Sequence, residues 1–300
     1  MNESSQITTA PGPEFETERI GRTKDWILLI VCLLSTCLGG AALFTLLAYV
    51  AIDAAGWLDW QFLTSTTSRF PEKAGIYPAL IGSVYMAALL IPPAMIMGIG
   101  AAVYLTEYAR KNWLTKFINI NIANLAGVPS VVWGLLGLGL FIQFFGMTYG
   151  TLLVGSGTMT LLILPVIIIS SQEAIKAVPD SLRQAAYGMG ATKWQTIRGV
   201  VLPRAIPGIL TGTVLSLARA LGETAPLIMI GVPTAVFATP DGPADKFTSM
   251  TMQLFSWSDY PQPEFQQGVL AAGVITLLAV LLSLNAMAIY LRHRFQNKSL

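Results

Sequence analysis

The stretch SQEAIKAVPDSLRQAAYGMGATKWQTIRGVVLPRAIP, Ser171 to Pro207, is polar and charged along its length and separates two long runs without charge. Pro179 ends the helix before it, since proline lacks an N–H and disfavours the α-region for the residue it follows. Ser181 and Gln184 then have the S-x-x-Q spacing of a capping box, predicting a short helix that closes at Gly188 and Gly190. Thr192 and Gln195 repeat the spacing, predicting a second helix that stops at Leu202 and Pro203. The two together predict a rigid helical elbow that offers Ala185, Ala186, Met189 and Trp194 to a partner surface. An amphipathic hairpin resting on lipid headgroups has the same pattern.

Outward from this stretch the chain is that of an integral membrane protein, with 54% apolar and only 11% charged residues. A bilayer core of roughly 30 Å needs about 20 apolar residues to cross it. Six spans are predicted. The first, Trp26 to Ile52, is charge-free and too long for the apolar segment of a secretory signal. The second, Ala74 to Thr106, contains Pro92 and Pro93 and is expected to kink or break there. Between Lys116 and Glu173 lie 56 uncharged residues, enough for two spans joined by a turn at GMTYG, Gly146 to Gly150. A fifth span runs from about Ala205 to Gly231 and a sixth from about Val269 to Leu291.

Lys and Arg place both termini in the cytoplasm, because that orientation puts fourteen of the eighteen on the inside and only Arg69, Lys73 and Lys246 outside. The remaining cation, Arg219, falls within a span. Residues 1–24 read as a flexible cytoplasmic tail and 25–300 as the membrane domain, with the elbow at about 172–204. The segment Pro233 to Gln267, with four acidic residues against one lysine, reads as a solvated extracytoplasmic surface loop. Cys32 and Cys37 lie in the first span, and the single histidine is His293. These residues propose no disulfide framework and no metal site. No G-x-x-x-x-G-K-[ST] phosphate loop is present in the sequence, so energy for any pumping must come from elsewhere.

Gln184-Ala185-Ala186, Gly190 and Leu202-Pro203, spaced as they are, resemble the EAA loop of ABC importer permeases, with Gln184 in place of the usual glutamate. GVPSVVWGLLGLGLF (Gly127–Phe141), the run Val178–Gly212 and LARALGETAPLIMIG (Leu217–Gly231) are similar to the phosphate-importer branch of that family. Thr224-Ala225-Pro226-Leu227 is similar to its A-type subunits. The resemblance implies an all-α type I importer permease of about six membrane helices in a bacterial inner membrane, with no catalytic bond chemistry of its own. It also implies that the elbow residues Gln184, Ala185, Ala186, Gly190, Trp194, Leu202 and Pro203 seat in a separate ATPase dimer. ATP and magnesium would be held there rather than by this chain. A second, C-type permease and an extracytoplasmic phosphate-binding protein complete the implied assembly, in which ATP-driven alternating access moves inorganic phosphate inward.

ARALGETAP, Ala218 to Pro226, places Arg219 and Glu223 four residues apart in an otherwise uncharged run. A charge at the centre of a span costs about 2.5 to 3.5 kcal/mol on insertion scales, so such residues are expected to border a cavity or pathway. On a helix continuing to Gly231, one face would carry Gly212, Leu215, Ser216, Arg219, Gly222, Glu223 and Pro226. Arg219, Glu223, Ser216 and Thr224 are therefore the candidate substrate-pathway residues, with the Arg219 guanidinium offering a planar fork of donors to a tetrahedral oxyanion. Glu223 would either hold Arg219 or accept a hydrogen bond from a protonated phosphate oxygen; a purely structural ion pair between helices is the third reading. Transport of sulfate or molybdate, and a scaffold role without transport, are the alternatives to phosphate.

Overall fold

A computed structural model of the chain describes the backbone of residues 17–296 and the side chains of residues 26–287, 289 and 290. Among the described residues there are helices and no strand, only an isolated bridge between Thr151 and Lys246. The chain divides at Ile52 and Asp53 into two units. In the first, helix α1 (Thr17–Ala54) carries the 29-residue apolar stretch Trp26–Ala54. Thr36 and Thr45 turn their hydroxyls back onto the carbonyls of Cys32 and Ala41, at 2.8 Å each, so neither leaves an unsatisfied donor in an apolar run. Of the tail expected to be flexible, residues 1–16 lie outside the described residues, and residues 17–24 are the first turns of α1.

The second unit follows as α2 (Trp60–Thr64), α3 (Tyr77–Val103), α4 (Trp113–Ala126), α5 (Ser130–Gly137), α6 (Leu152–Lys176), α7 (Asp180–Gly188), α8 (Lys193–Thr196), α9 (Leu202–Gly222), α10 (Ala225–Met229), α11 (Met250–Ser258) and α12 (Leu270–Gln296). Wider π-helical turns extend several of these: Tyr104–Tyr108 after α3, Leu138–Phe144 after α5, Ile197–Val201 between α8 and α9, and Phe265–Val269 before α12. By length and composition the described residues hold five helices able to cross a membrane, or six when the bent pair Trp113–Ala126 and Ser130–Phe144 counts as one span.

Helix α6 is apolar on all sides and is surrounded, as such a helix must be. Met159, Ile163 and Ile167 on it are buried to 1% exposure or less. Its neighbours approach through residues with no side chain. A Cβ on Gly98 of α3 would strike Ile167, one on Gly137 of α5 would strike Thr158, and those on Gly208 and Gly212 of α9 would strike Ala174 and Ser170. Small residues at helix crossings let backbones close in where lipid offers no hydrophobic drive to association. Gly139, grouped in sequence with Gly134 and Gly137, has open space where its Cβ would be.

Three expectations are corrected. Helix α3 continues through Pro92 and Pro93, without the break that was one of the two readings. Its packing along α6 holds it, and Thr160 Oγ1 lies 3.5 Å from the Leu90 carbonyl at that level. The third span does break, at Gly127–Pro129, where α4 and α5 meet at 104°. The fifth ends at Gly222 instead of Gly231, because Pro226 has no N–H and its ring would collide with the Gly222 carbonyl one turn back. The segment expected to be a surface loop instead enters the core. Phe247, Gln253 and Trp257 are 0% exposed, and Phe247 lies against Gly155. This segment also completes α6, whose first free amides, Leu152 and Leu153, donate to the carbonyls of Asp245 (2.9 Å) and Pro243 (2.8 Å).

Gly134 offers a test of the glycine contacts. A Cβ there would lie 2.7 Å from Pro226 Cα and 2.9 Å from its carbonyl oxygen, both backbone atoms of α10. Gly134→Ala is expected to lower stability by about 1–3 kcal/mol, while Gly139→Ala is neutral or slightly stabilising. Thermal unfolding of the detergent-solubilised chain reads both, and equal melting of the two variants would contradict the packing described.

Candidate functional site

Arg219 sits in the last turn of α9, not at mid-helix, and Glu223 is the residue that caps that helix, with extended backbone at φ −88° and ψ 131°. A cation in a helix's last turn is favoured by the free carbonyls there. The helix ends at Gly222, between the two charges, so they are held by a break in the chain and not by one continuous face. Arg219 Nε stands 3.6 Å from Glu223 Oε1, with the two side chains 48% and 24% exposed in the single chain. Among the described residues neither side chain makes a hydrogen bond within normal distance, which leaves the guanidinium donors available.

The break is fastened from behind. The Glu223 carbonyl accepts from Thr251 Oγ1 (3.3 Å), whose oxygen also lies 3.0 Å from Ser249 Oγ at the start of α11. Met250 N donates to Ser83 Oγ of α3 at 2.9 Å. Thr224 accepts from the amides of Leu227 and Ile228 and so starts α10, which is held against α5 by buried Pro226. Leu215, Arg219 and Gly222 form the exposed side of α9, while Thr213, Ser216 and Ala220 form the buried side. Ser216, placed with the pathway residues from its spacing, is 2% exposed and donates to the Gly212 carbonyl at 2.8 Å. Its burial puts it on the packed flank of α9, about 60° round the helix from Arg219.

At the other end of the molecule the elbow forms with altered joints. Helix α7 starts at Asp180 with Pro179 as its cap and no side-chain capping bond, so Ser181 and Gln184 do not make the expected box. The Thr192 and Gln195 box is present, with Thr192 N donating to Gln195 Oε1 at 2.8 Å and Gln195 N to Thr192 Oγ1 at 3.4 Å. Gly190 makes the left-handed turn between the arms at φ +81°, a conformation that favours glycine. The second helix does not stop at Leu202 and Pro203. It runs through the π-turn Ile197–Val201 into α9, the wider turn making room for the proline ring. Ala185, Ala186, Met189, Gly190, Ala191 and Gln195 line an open groove of about 530 Å³, with Trp194 54% and Met189 90% exposed. Gln184 is exposed beside this groove, and Leu202 faces inward to a small apolar core.

Sequence reasoning missed a second arginine–glutamate pair. Arg183 of α7 donates through Nε (3.3 Å) and Nη2 (3.1 Å) to Glu107 Oε1, on the π-turn after α3. Its remaining donors reach the carbonyls of Ile175 (2.9 Å) and Val178, at the end of α6, and Asp180 Oδ1 at 3.0 Å. The side chains are 13% and 9% exposed. The partners are 76 residues apart, and Glu107 alone reads as an ordinary charge at the edge of an apolar run. No spacing rule connects them.

The pattern of the family described as "Binding-protein-dependent transport system inner membrane component" matches residues 94–297. A probable ABC transporter permease of Bacillus subtilis, YqgI, is 34% identical over 200 residues, covering 67% of this chain and 66% of that protein. The match thus spans just under two thirds of that relative's length. The phosphate transport system permease protein PstA 1 of Mycobacterium tuberculosis is 32% identical over 250 residues, covering 81% of this chain and 78% of the relative. Among solved structures, a chain of a bacterial alginate ABC transporter superposes with a TM-score of 0.66 at 15% identity, over 93% of this chain and 98% of its own. That likeness concerns the fold.

The two ion pairs predict opposite responses to the same substitution. Arg219→Gln should change stability by less than about 1 kcal/mol, since the pair is half exposed and lacks a hydrogen bond. Arg183→Gln should cost about 3–5 kcal/mol, because it strands the Glu107 carboxylate away from water. Thermal unfolding of both variants in one detergent separates them, and a larger loss for Arg219→Gln would reverse the assignment of roles.

Proposed function

We propose that this chain, which belongs to the family of binding-protein-dependent transport system inner membrane components, is the A-type permease subunit of an ABC importer that carries inorganic phosphate into the cell. The similarity to a phosphate transport permease over most of the chain carries the choice of anion. The geometry at Arg219 agrees with it. A guanidinium without a protein hydrogen bond, exposed on the outer side of α9 and beside a carboxylate, can bind a tetrahedral oxyanion in bidentate fashion. Glu223 orients that guanidinium and accepts a proton-bearing phosphate oxygen, which sulfate lacks at neutral pH. Thr224, on the break, adds a hydroxyl at the same level. Ser216 lines no part of the route.

The exposed side of α9 faces a second, C-type permease, and the pathway lies between the two. Both termini are cytoplasmic, a reading the Lys and Arg distribution supports, so the elbow lies in the cytoplasm and the break at Glu223 toward the outside. An ATPase dimer holds ATP and magnesium and receives α7, the Gly190 turn and Trp194 in its groove; this chain performs no bond chemistry. An extracytoplasmic binding protein delivers phosphate. ATP binding closes the ATPase pair and turns the helices outward, and hydrolysis returns them, an alternating-access cycle about a fixed site.

Uptake of labelled phosphate into vesicles containing the whole complex tests the reading. Arg219→Gln should lower it by at least about a hundredfold, the scale of losing one partner of a desolvated charge contact, while the complex still purifies intact. Arsenate should compete with the label and sulfate should not. Competition by sulfate or molybdate instead would move the assignment to another oxyanion, and undiminished uptake by Arg219→Gln would remove Arg219 from the pathway.

A further inference from the structure

We propose that the π-turn Tyr104–Tyr108 is a strap through which the elbow moves α3, with Glu107 as the positioning residue. This rests on the importer reading above and adds to it a route for the motion. The elbow is covalently continuous only with α6 and α9. Chain connectivity alone would leave α3 to follow passively. The contacts supply a separate connection, since both arms of the elbow reach the same turn. Arg183 on the first arm holds Glu107 at 3.1 Å. Lys193, the first residue of the second arm, lies with its Nζ 4.9 Å from the centre of the Tyr108 ring, a cation over an aromatic face.

The two contacts differ in kind and fall on consecutive residues, on opposite sides of the left-handed turn at Gly190. Relative motion of the arms therefore passes through one short segment. That segment is closed by its own backbone, Ala109 N donating to Tyr104 O at 2.8 Å. Leu182 of α7 packs against the small buried cluster that joins Ala102 of α3 to Ile175 and Val178, so the elbow rests on the ends of α3 and α6 together. Arg183 has no spare donor for an outside partner: it is committed to Glu107, Asp180 and the carbonyls of Ile175 and Val178. Its chemistry is that of a rivet and not of a docking contact with another subunit.

A spin-label distance measurement tests the strap without reference to the transported anion. With Cys32 and Cys37 replaced by serine, labels at Met189→Cys on the elbow and Ile96→Cys on α3, positions 90% and 74% exposed, report the separation of the two elements in the full-length chain. A narrow distribution is expected, broadened in Glu107→Ala and restored in Glu107→Gln, which keeps an acceptor for Arg183. In the assembled complex, phosphate moved per ATP hydrolysed should fall by about tenfold in Glu107→Ala and recover to within about threefold in Glu107→Gln. If Glu107→Ala does not fold, Tyr108→Leu decides, since Tyr108 is 43% exposed and its ring makes the second contact. It should broaden the distribution and lower the ratio by about two- to fivefold. A distribution as narrow as the parent's in Glu107→Ala, or in Tyr108→Leu where Glu107→Ala does not fold, overturns the strap, as does an unchanged ratio in the same variant. A parent complex that moves no phosphate but shows the narrowing and its loss overturns the phosphate reading and leaves the strap standing.

Discussion

A chain inside a membrane cannot leave backbone amides or carbonyls unpaired, and at the ends of α6 and α9 they are taken up by groups outside the helix itself. The first amides of α6 are met by the carbonyls of Pro243 and Asp245, its last carbonyls by Arg183, and the carbonyl of Glu223 by Thr251. The segment after α10 enters the core because α6 needs acceptors at its start and α9 needs a donor at its end. Its acidic composition had suggested water. The backbone accounting decides otherwise, and Phe247, Gln253 and Trp257 are buried as a result.

The two arginine–glutamate pairs show how the same residues serve different ends. Around Arg183 the donors are spent, two on a carboxylate and others on carbonyls, with about a tenth of either side chain exposed. Such a pair stabilises little compared with an apolar substitute, yet it fixes one arrangement. Around Arg219 the contact is longer, more exposed and without a hydrogen bond. The first suits a joint and the second a site that must receive and release an ion. Only the three-dimensional neighbours tell the two pairs apart.

Legibility in the sequence followed the range of the forces involved. Apolar run length located the spans, the glycines Gly146 and Gly150 marked a turn, and Thr192 with Gln195 marked a capping box, all of them local signals that the structure keeps. The Ser181 and Gln184 box failed because Pro179 took the cap one residue earlier. The end of α9 was misplaced because Pro226 was read as a member of a helix face when its missing N–H ends the helix. Ser216, grouped with Arg219 by its three-residue spacing, is buried at 2% exposure. Nothing local could have joined Glu107 to Arg183, or Thr251 to Glu223, since those contacts exist only once the helices have been stacked.

The π-turn Ile197–Val201 has a bearing on how chains of this kind diverge. It holds one residue more than an α-helix would use over the same rise, and a residue occupies about 100° of helix. Losing that residue would tighten the turn and swing the elbow about a third of a revolution relative to Arg219, although no charge or apolar contact had been altered. The spacing between the Gly190 turn and α9 therefore acts as a phase setting, and a one-residue deletion there would be more disruptive than a dozen substitutions on the exposed face of the elbow.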